Sequence, residues 1–308
     1  MFQTSKALFI YCVSPIHMGA GTAIGLIDNP IQRERHTDYP MIAGSGLKGA
    51  VRHRCQANGW DKDMIARIFG PETNASEHAG AISFGDAQLV AFPVRCTKRA
   101  YVYATSPTAL ARMKRSLQTL GGDCDWPIPE VQERFCRVIE SGGPVDNNQP
   151  LRLEAFELTA IGAPELTEIA KFLCEKALPA NDAYTFFREK LKTDLVLLPD
   201  EDFSYFVKNA TVVEPHVRIN DKTGTADDGG LFYTENLPPE SLLIAPLMAT
   251  VERTPEKSRN GENPTSAEDV MSTVLTGLNG QLVQIGGDAT TGRGQVVINV
   301  VEVSNGNA

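Results

Sequence analysis

The sequence lacks most of the short signatures that identify a protein at once. Its six cysteines, at positions 12, 55, 96, 124, 136 and 174, stand far apart, with no CxxC or CxxH pair among them. This spacing gives no zinc site and no redox dithiol. The thiols read as small apolar residues of a chain kept in a reducing cytoplasm. No apolar run approaches the roughly 18 residues of a membrane span. The N-terminal MFQTSKALFIYCV lacks the charged start and small-residue cleavage site of a signal peptide, so it reads as a strand. The sequons at Asn74 and Asn209 are then chance matches. No GxSxG elbow, HExxH helix or DxDxDG loop occurs. Aromatic residues make up only 7%, and the two tryptophans, Trp60 and Trp126, are isolated and read as packing residues.

What remains is a globular composition, 42% hydrophobic and 22% charged over 308 residues, enough for one large domain or two closely packed ones. The net charge of −9 counts against a generic polyanion binder. The average hides a partition. Ala91–Leu117 holds six bases (Arg95, Lys98, Arg99, Arg112, Lys114, Arg115) and no acid. Residues 31–54 hold five bases against Glu34 and Asp38, while residues 221–270 hold ten acids and four bases. Such segregation fits an electropositive face on an acidic body, and it also fits ordinary solvated helix faces.

Periodicity predicts alternating strands and helices. Ala7–Val13 is a strand, followed by a loop over Pro15–Gly44 and a helix capped by Ser45, with Leu47, Ala50, Val51 and Cys55 on its apolar face. Ala81–Val94 and Arg99–Thr105 read as strands, and Ser106-Pro107 starts a helix. Gly121–Pro150 is turn-rich and reads as a loop or insertion; Leu151–Leu158 reads as a strand and Glu165–Leu178 as a helix. Val212–Ile219 enters the polar tip INDKTGTADDGG and the strand resumes at Leu231–Tyr233, the pattern of a long hairpin. Ser241–Val251 is a strand, Asn263-Pro264 opens a helix, and Gln295–Val303 is a closing strand. The alternation predicts an α+β sandwich with substantial insertions.

Three constellations can carry chemistry. The loop over residues 14–52 sets His17, Asp28, Arg33, Glu34, Arg35 and His36 before a helix that begins Gly44-Ser45-Gly46, with Lys48 and Arg52 on one face. Free N–H groups at such a terminus suit a phosphate, and an ordinary capped helix has the same sequence. Gly286–Gly294, GGDATTGRG, lacks the GK[ST] ending of a nucleotide-triphosphate loop and precedes a strand. It reads either as a close-approach surface for a nucleic-acid backbone or as a glycine-rich turn. Asp221, Asp227, Asp228 and Glu235 beside Phe232 and Tyr233 can hold a metal or act as a base, or simply solvate a hairpin tip.

Taken in order, SPIHMGAG after the first strand, GLIDNPIQRE, the GSGLKGAVR helix, ISFGDAQLVAFPVR, GLFYTENLPPE and GGDATTGRG resemble the RAMP superfamily of CRISPR proteins. Within it they are similar to the backbone subunit of the type III-B Cmr effector complex, from about residue 7 to residue 302. The resemblance implies a single domain over residues 1–308 with a modified RRM-like, ferredoxin-like core, described as palm, fingers and thumb. Insertions would lie at about 59–80 and 121–150, and the thumb hairpin at about 212–237. It implies partners as well: a CRISPR guide RNA, complementary target RNA, further copies of the chain and the other Cmr subunits, with no membrane. The target would be cut beside each thumb in a reaction needing a divalent metal ion, Mg2+ or Mn2+.

By position, the resemblance makes Asp28 catalytic and metal-holding, with His17 and Glu235 as further catalytic residues. It places Ser45, Gly46, Lys48 and Arg52 on guide phosphates, and Gly286, Gly287, Thr290, Thr291 and Arg293 near the guide backbone. Asn236 stands where some relatives have an aromatic residue. Asp28 would take the proton of a ribose 2′-hydroxyl or hold a metal that acidifies it, with Arg33 and Arg35 stabilising charge on phosphorus. Three other readings stay open: a guide-binding subunit without chemistry, a guide-processing ribonuclease, and a small-molecule phosphate enzyme.

Overall fold

A computed structural model describes residues 2–23, 25–73, 77–122, 124–259 and 263–301. In chain order, β1 (Thr4–Cys12) and β2 (Met41–Ile42) precede α1 (Gly44–Ala57) and α2 (Lys62–Phe69). β3 (Ile82–Phe84), β4 (Ala87–Cys96) and β5 (Ala100–Thr105) lead into α3 (Pro107–Thr119). β6 (Phe135–Val138), β7 (Pro150–Leu153) and β8 (Phe156–Gly162) come before α4 (Pro164–Lys176) and α5 (Thr185–Thr193). β9 (Leu195–Leu197) and α6 (Asp200–Asn209) then lead to a hairpin of β10 (Val212–Ile219) and β11 (Ala226–Asn236). β12 (Leu242–Ala249), α7 (Ala267–Thr276), β13 (Gln281–Gln284) and β14 (Gln295–Val301) complete the described fold.

Strand β1 organises the molecule because it is apolar at every position from Ala7 to Cys12. Leu8, Ile10 and Cys12 face one core and Ala7, Phe9 and Tyr11 the other, as a strand's period of two requires. Buried on both faces, such a strand belongs in the middle of a sheet. It pairs antiparallel with β12 on one side and β14 on the other. The main sheet runs β13-β14-β1-β12-β4-β5-β9-β6-β8-β7, with β2 on β4 and β3 on β12. Cys96 of β4 also pairs with Leu153 of β7, closing that half into a barrel-like ring. Leu47 and Val51 of α1, Ile65 and Phe69 of α2 and Val270 and Val274 of α7 fill the first core. Leu110 and Met113 of α3 and Leu166 and Ile169 of α4 fill the second. The fold is mixed α and β around a barrel-like sheet.

Several boundaries differ from the sequence reading, each for a tertiary reason. Helix α1 starts at Gly44, and Ser45 makes no cap. Asp86, from the turn between β3 and β4, accepts the Gly44 N–H at 2.7 Å. Asp86→Ala is expected to lower stability by about 1 kcal/mol, the usual cost of a lost helix cap, measured by urea unfolding. The Ala81–Val94 strand is two strands broken at Gly85-Asp86, and Leu151–Leu158 is a hairpin whose turn uses Glu154 at φ +50°. Residues 121–150 are more than loop: β6 pairs with β8 and β9. α7 begins at Ala267 under a Ser266 cap, past the Asn263-Pro264 signal. By contrast Ser106 caps α3 as predicted, accepting from the Ala109 N–H.

All six cysteines are buried and none is in a disulfide, and Trp60 and Trp126 pack against the two cores. Asn209 lies at the end of α6, its amide donating to the Tyr205 carbonyl; Asn74 lies outside the described residues. Among the described residues no helix is long and apolar enough to cross a membrane.

Candidate functional site

The long loop after β1 lies along the edge of β11 that β10 leaves free. Ile16 and Leu237 exchange two backbone hydrogen bonds, of 2.9 and 2.8 Å. Farther along, Asn29 N–H donates to the Tyr233 carbonyl and Glu235 N–H to the Asn29 carbonyl, both at 3.0 Å. The loop also pairs with itself: Ala20 donates to Pro30 and Gln32 to Met18. Residues 16–20 and 28–32 are thus brought side by side at the root of the β10–β11 hairpin.

Two of the expected residues meet there. Asp28, half-buried, accepts the Tyr233 N–H through Oδ2 at 2.7 Å, leaving Oδ1 uncommitted among the described residues. His17 is held through Nδ1, 2.8 Å from the Glu235 carbonyl. A carbonyl can only accept, so Nδ1 carries the proton and Nε2 is the nitrogen left for chemistry. Tyr233 and Glu235 are alternate residues on one strand, which sets their Cα atoms about 7 Å apart on the same edge.

The glycine-rich loop supports this arrangement from behind. Gly287 N–H donates to the His17 carbonyl at 3.0 Å and Gly294 N–H to the Pro15 carbonyl at 2.8 Å. Gly286 has φ +80°, and a Cβ there would stand 2.3 Å from the His17 carbonyl oxygen. The backbone that this glycine admits is the protein's own. Thr290 and Thr291 are exposed, whereas Arg293 is ion-paired with Glu214 on β10.

Other expected residues are occupied elsewhere. Glu235 is 3% exposed. Its Oε2 accepts the Ile31 N–H at 3.0 Å, and its Oε1 accepts from Arg33 at 2.5 Å and from the Thr211 hydroxyl at 2.9 Å. Arg33 also donates to the carbonyls of Asp38 and Val207, so its guanidinium is already engaged by three oxygens. Arg52 donates to the Gly70 carbonyl at the end of α2, at 2.7 Å. Lys48 is half-buried, and burial first, then the charge of Arg52, lowers its pKa. Ser45 and Gly46 are exposed at the start of α1, but the Asp86 carboxylate already sits on that terminus and opposes an anion. The basic stretch divides: Arg112 pairs with Glu34 and Lys114 bonds the Trp126 carbonyl, while Arg95, Lys98 and Arg115 are exposed.

The donor set does not suit a resident divalent ion. Asp28 offers one free oxygen, Glu235 is consumed, and among the described residues no group of three His, Cys, Asp or Glu side chains converges. Another carboxylate, Glu240, lies in the turn between β11 and β12. Burial raises its pKa from 4.5 to about 7. The folded chain therefore holds this proton where the unfolded chain has released it, and stability falls as pH rises from about 4.5 to about 7. Glu240→Gln is expected to flatten that fall and to stabilise by roughly 1 kcal/mol above pH 7 after allowance for solvent screening, checked by urea unfolding against pH.

The hairpin itself projects with one apolar face, where Val213, Val217, Leu231 and Tyr233 are exposed. On the other face His216 and Phe232 stack at 5.2 Å. Nothing in the local sequence signals Arg33, Thr211 or Asp86 as parts of the site's support, because their partners lie 202, 24 and 42 positions away.

A model of the RAMP superfamily matches residues 9–297. The chain belongs to the RAMP superfamily. Among its RAMP relatives, the CRISPR system Cmr endoribonuclease Cmr4 of Pyrococcus furiosus is 36% identical over 299 residues, covering 96% of this chain and 95% of that one. The CRISPR system CMR subunit Cmr4 of Saccharolobus solfataricus is 25% identical over 266 residues, covering 79% and 84%. In structure, oligomeric Cmr4 from Pyrococcus furiosus superposes with a TM-score of 0.73 at 29% identity, covering 98% of this RAMP chain and all of that one. A chain of the Type III-B Cmr-beta complex bound to cognate target RNA shares the fold, with a TM-score of 0.72, 21% identity, and 97% and 98% coverage.

Proposed function

We propose that this RAMP chain is a backbone subunit of a type III-B CRISPR effector in the cytoplasm, holding guide RNA beside further copies of itself and cutting the paired target RNA. The observation that carries this reading is that Asp28 and His17 hang from Tyr233 and Glu235, two alternate residues at the root of one projecting hairpin. The strand order β14-β1-β12-β4, all antiparallel, with α1 after β1 and α7 after β12, supports an RRM-like, ferredoxin-type palm. β10 and β11 serve as its thumb.

Cutting RNA through its own 2′-hydroxyl needs a base near that hydroxyl and an acid near the leaving 5′-oxygen, on opposite sides of the phosphorus. An A-form strand keeps the attacking oxygen out of line, so a hairpin that splays the duplex aids the reaction. Asp28 Oδ1 takes the 2′-hydroxyl proton as that oxygen bonds to phosphorus. The bond to the 5′-oxygen breaks, and His17, protonated at Nε2, supplies the proton that oxygen needs. Anchoring to alternate residues on one strand edge supports placing the two groups on either side of one phosphate. A divalent ion enters this reading only as one carried by the RNA phosphates.

The test uses guide-loaded complex and end-labelled complementary RNA. Cuts at regular intervals, leaving 2′,3′-cyclic phosphate and 5′-hydroxyl ends and blocked by a 2′-deoxy nucleotide at the cut, are expected. Tight binding without cuts would make the chain a binding subunit only.

A further inference from the structure

Arg33 ties the loop carrying Asp28 to α6 and to β11. Its guanidinium joins three elements: the Asp38 carbonyl in the loop at 2.7 Å, the Val207 carbonyl in the last turn of α6 at 3.0 Å, and Glu235 of β11. A cation at a helix C-terminus meets carbonyls that the helix leaves unpaired. Glu235 in turn receives Ile31 N–H and the Thr211 hydroxyl. The pair is enclosed, with side-chain exposures of 15% for Arg33 and 4% for Glu235.

We propose that Arg33 and Thr211 are positioning residues for cleavage, acting through Glu235 to set where Asp28 and His17 stand. This rests on the reading above that Asp28 and His17 cut RNA. Glu235 touches both arms of the site. Its side chain holds Ile31, three residues after Asp28, and its carbonyl holds His17. Pro30 fixes one φ in the short link from Asp28 to Ile31, so a slip at Ile31 is passed to the Asp28 carboxylate. With three hydrogen bonds received and 3% exposure, Glu235 has no free oxygen facing an RNA hydroxyl. Its part in the reaction is to hold, and Arg33 and Thr211 hold it.

Single-turnover cutting and target affinity, measured separately on guide-loaded complex, test this. Arg33→Met is expected to slow cutting about 100-fold, the scale of a misplacement near 1 Å, with target affinity changed less than about threefold. Thr211→Val, which removes one hydroxyl, is expected to slow it about threefold to tenfold. The double variant R33Q/E235Q can rebuild amide hydrogen bonds to Ile31 and Thr211. It should recover at least about tenfold over Arg33→Met, with the pH–rate profile of the parent.

Three outcomes overturn the proposal. In one, Arg33→Met cuts at the parent rate, or its loss lies in target affinity, which would put Arg33 on a phosphate. In another, Glu235→Gln and the double variant both lose the same limb of the pH–rate profile, which would make Glu235 a proton-transfer group. If Arg33→Met fails to assemble, Thr211→Val decides, and a parent rate there overturns the proposal. Normal cutting by Asp28→Asn would instead overturn the reading of the site, whatever the Arg33 variants do.

Discussion

Asp28→Ala is expected to slow target cutting by about 10³-fold or more, within the range a lost general base commonly costs. The guide-loaded complex should still assemble. In the folded chain the carboxylate makes a hydrogen bond to the Tyr233 N–H, which contributes about 1 kcal/mol net. The residue is half-buried, so water can take over that donor. Target affinity should therefore change by less than about threefold. Asp28→Asn separates two roles. An asparagine Oδ1 keeps the hydrogen bond from Tyr233 but cannot take a proton, so it should be as slow as alanine. A variant that keeps the bond and retains the parent rate would show that residue 28 only positions the loop. Single-turnover rates with labelled RNA, beside a binding isotherm for each variant, give the answer.

Gly286→Ala is expected to cost roughly 2–5 kcal/mol of stability, from left-handed backbone strain plus overpacking against a carbonyl. The neighbour is backbone: a Cβ would stand 2.3 Å from the His17 oxygen, and no side chain can rotate out of its way. Relief has to come from moving His17 or the loop. Cutting should fall about 100-fold in whatever complex folds, since about 1 Å at a catalytic group has that effect. Gly292 supplies the comparison. It has φ +81° with nothing within 4 Å of its Cβ position, so Gly292→Ala should cost only about 1–2 kcal/mol and leave cutting near the parent rate. Urea unfolding and cleavage of both variants check this. Equal stability losses would mean that the approach to His17 is unimportant.

The β10–β11 hairpin could be read from alternation around a polar tip, and the cap at Ser106 from a serine before proline. Both signals lie within about two dozen consecutive residues. Helix α5, strand β9 and helix α6 went unread. β9 is three apolar residues, and it becomes a strand only because β5 and β6 flank it. The same holds for β6 inside a segment rich in turn residues.

Residue type and position placed Asp28 and His17 among six candidates in a loop between a strand and a helix, and the resemblance singled them out. The partners of Glu235, Arg33, Arg52 and Arg293 could not be read from the sequence, for one physical reason. A charged side chain in a sequence looks available, and whether another part of the chain has already neutralised it depends on contacts many residues away. Arg33 and Glu235 are separated by 202 positions, and Arg293 and Glu214 by 79.

By itself, the sequence determined that Ala7–Val13 is an apolar strand, that a long hairpin lies at about 212–237, that the thiols are small apolar residues, and that the chain has RAMP character. Each follows from local periodicity, from composition, or from short motifs in order. Tertiary structure alone decided which charges face outward, that Asp86 caps α1, and that the glycine-rich loop makes room for the His17 backbone. Those outcomes depend on pairing and burial between distant segments, and no window along the chain contains both partners.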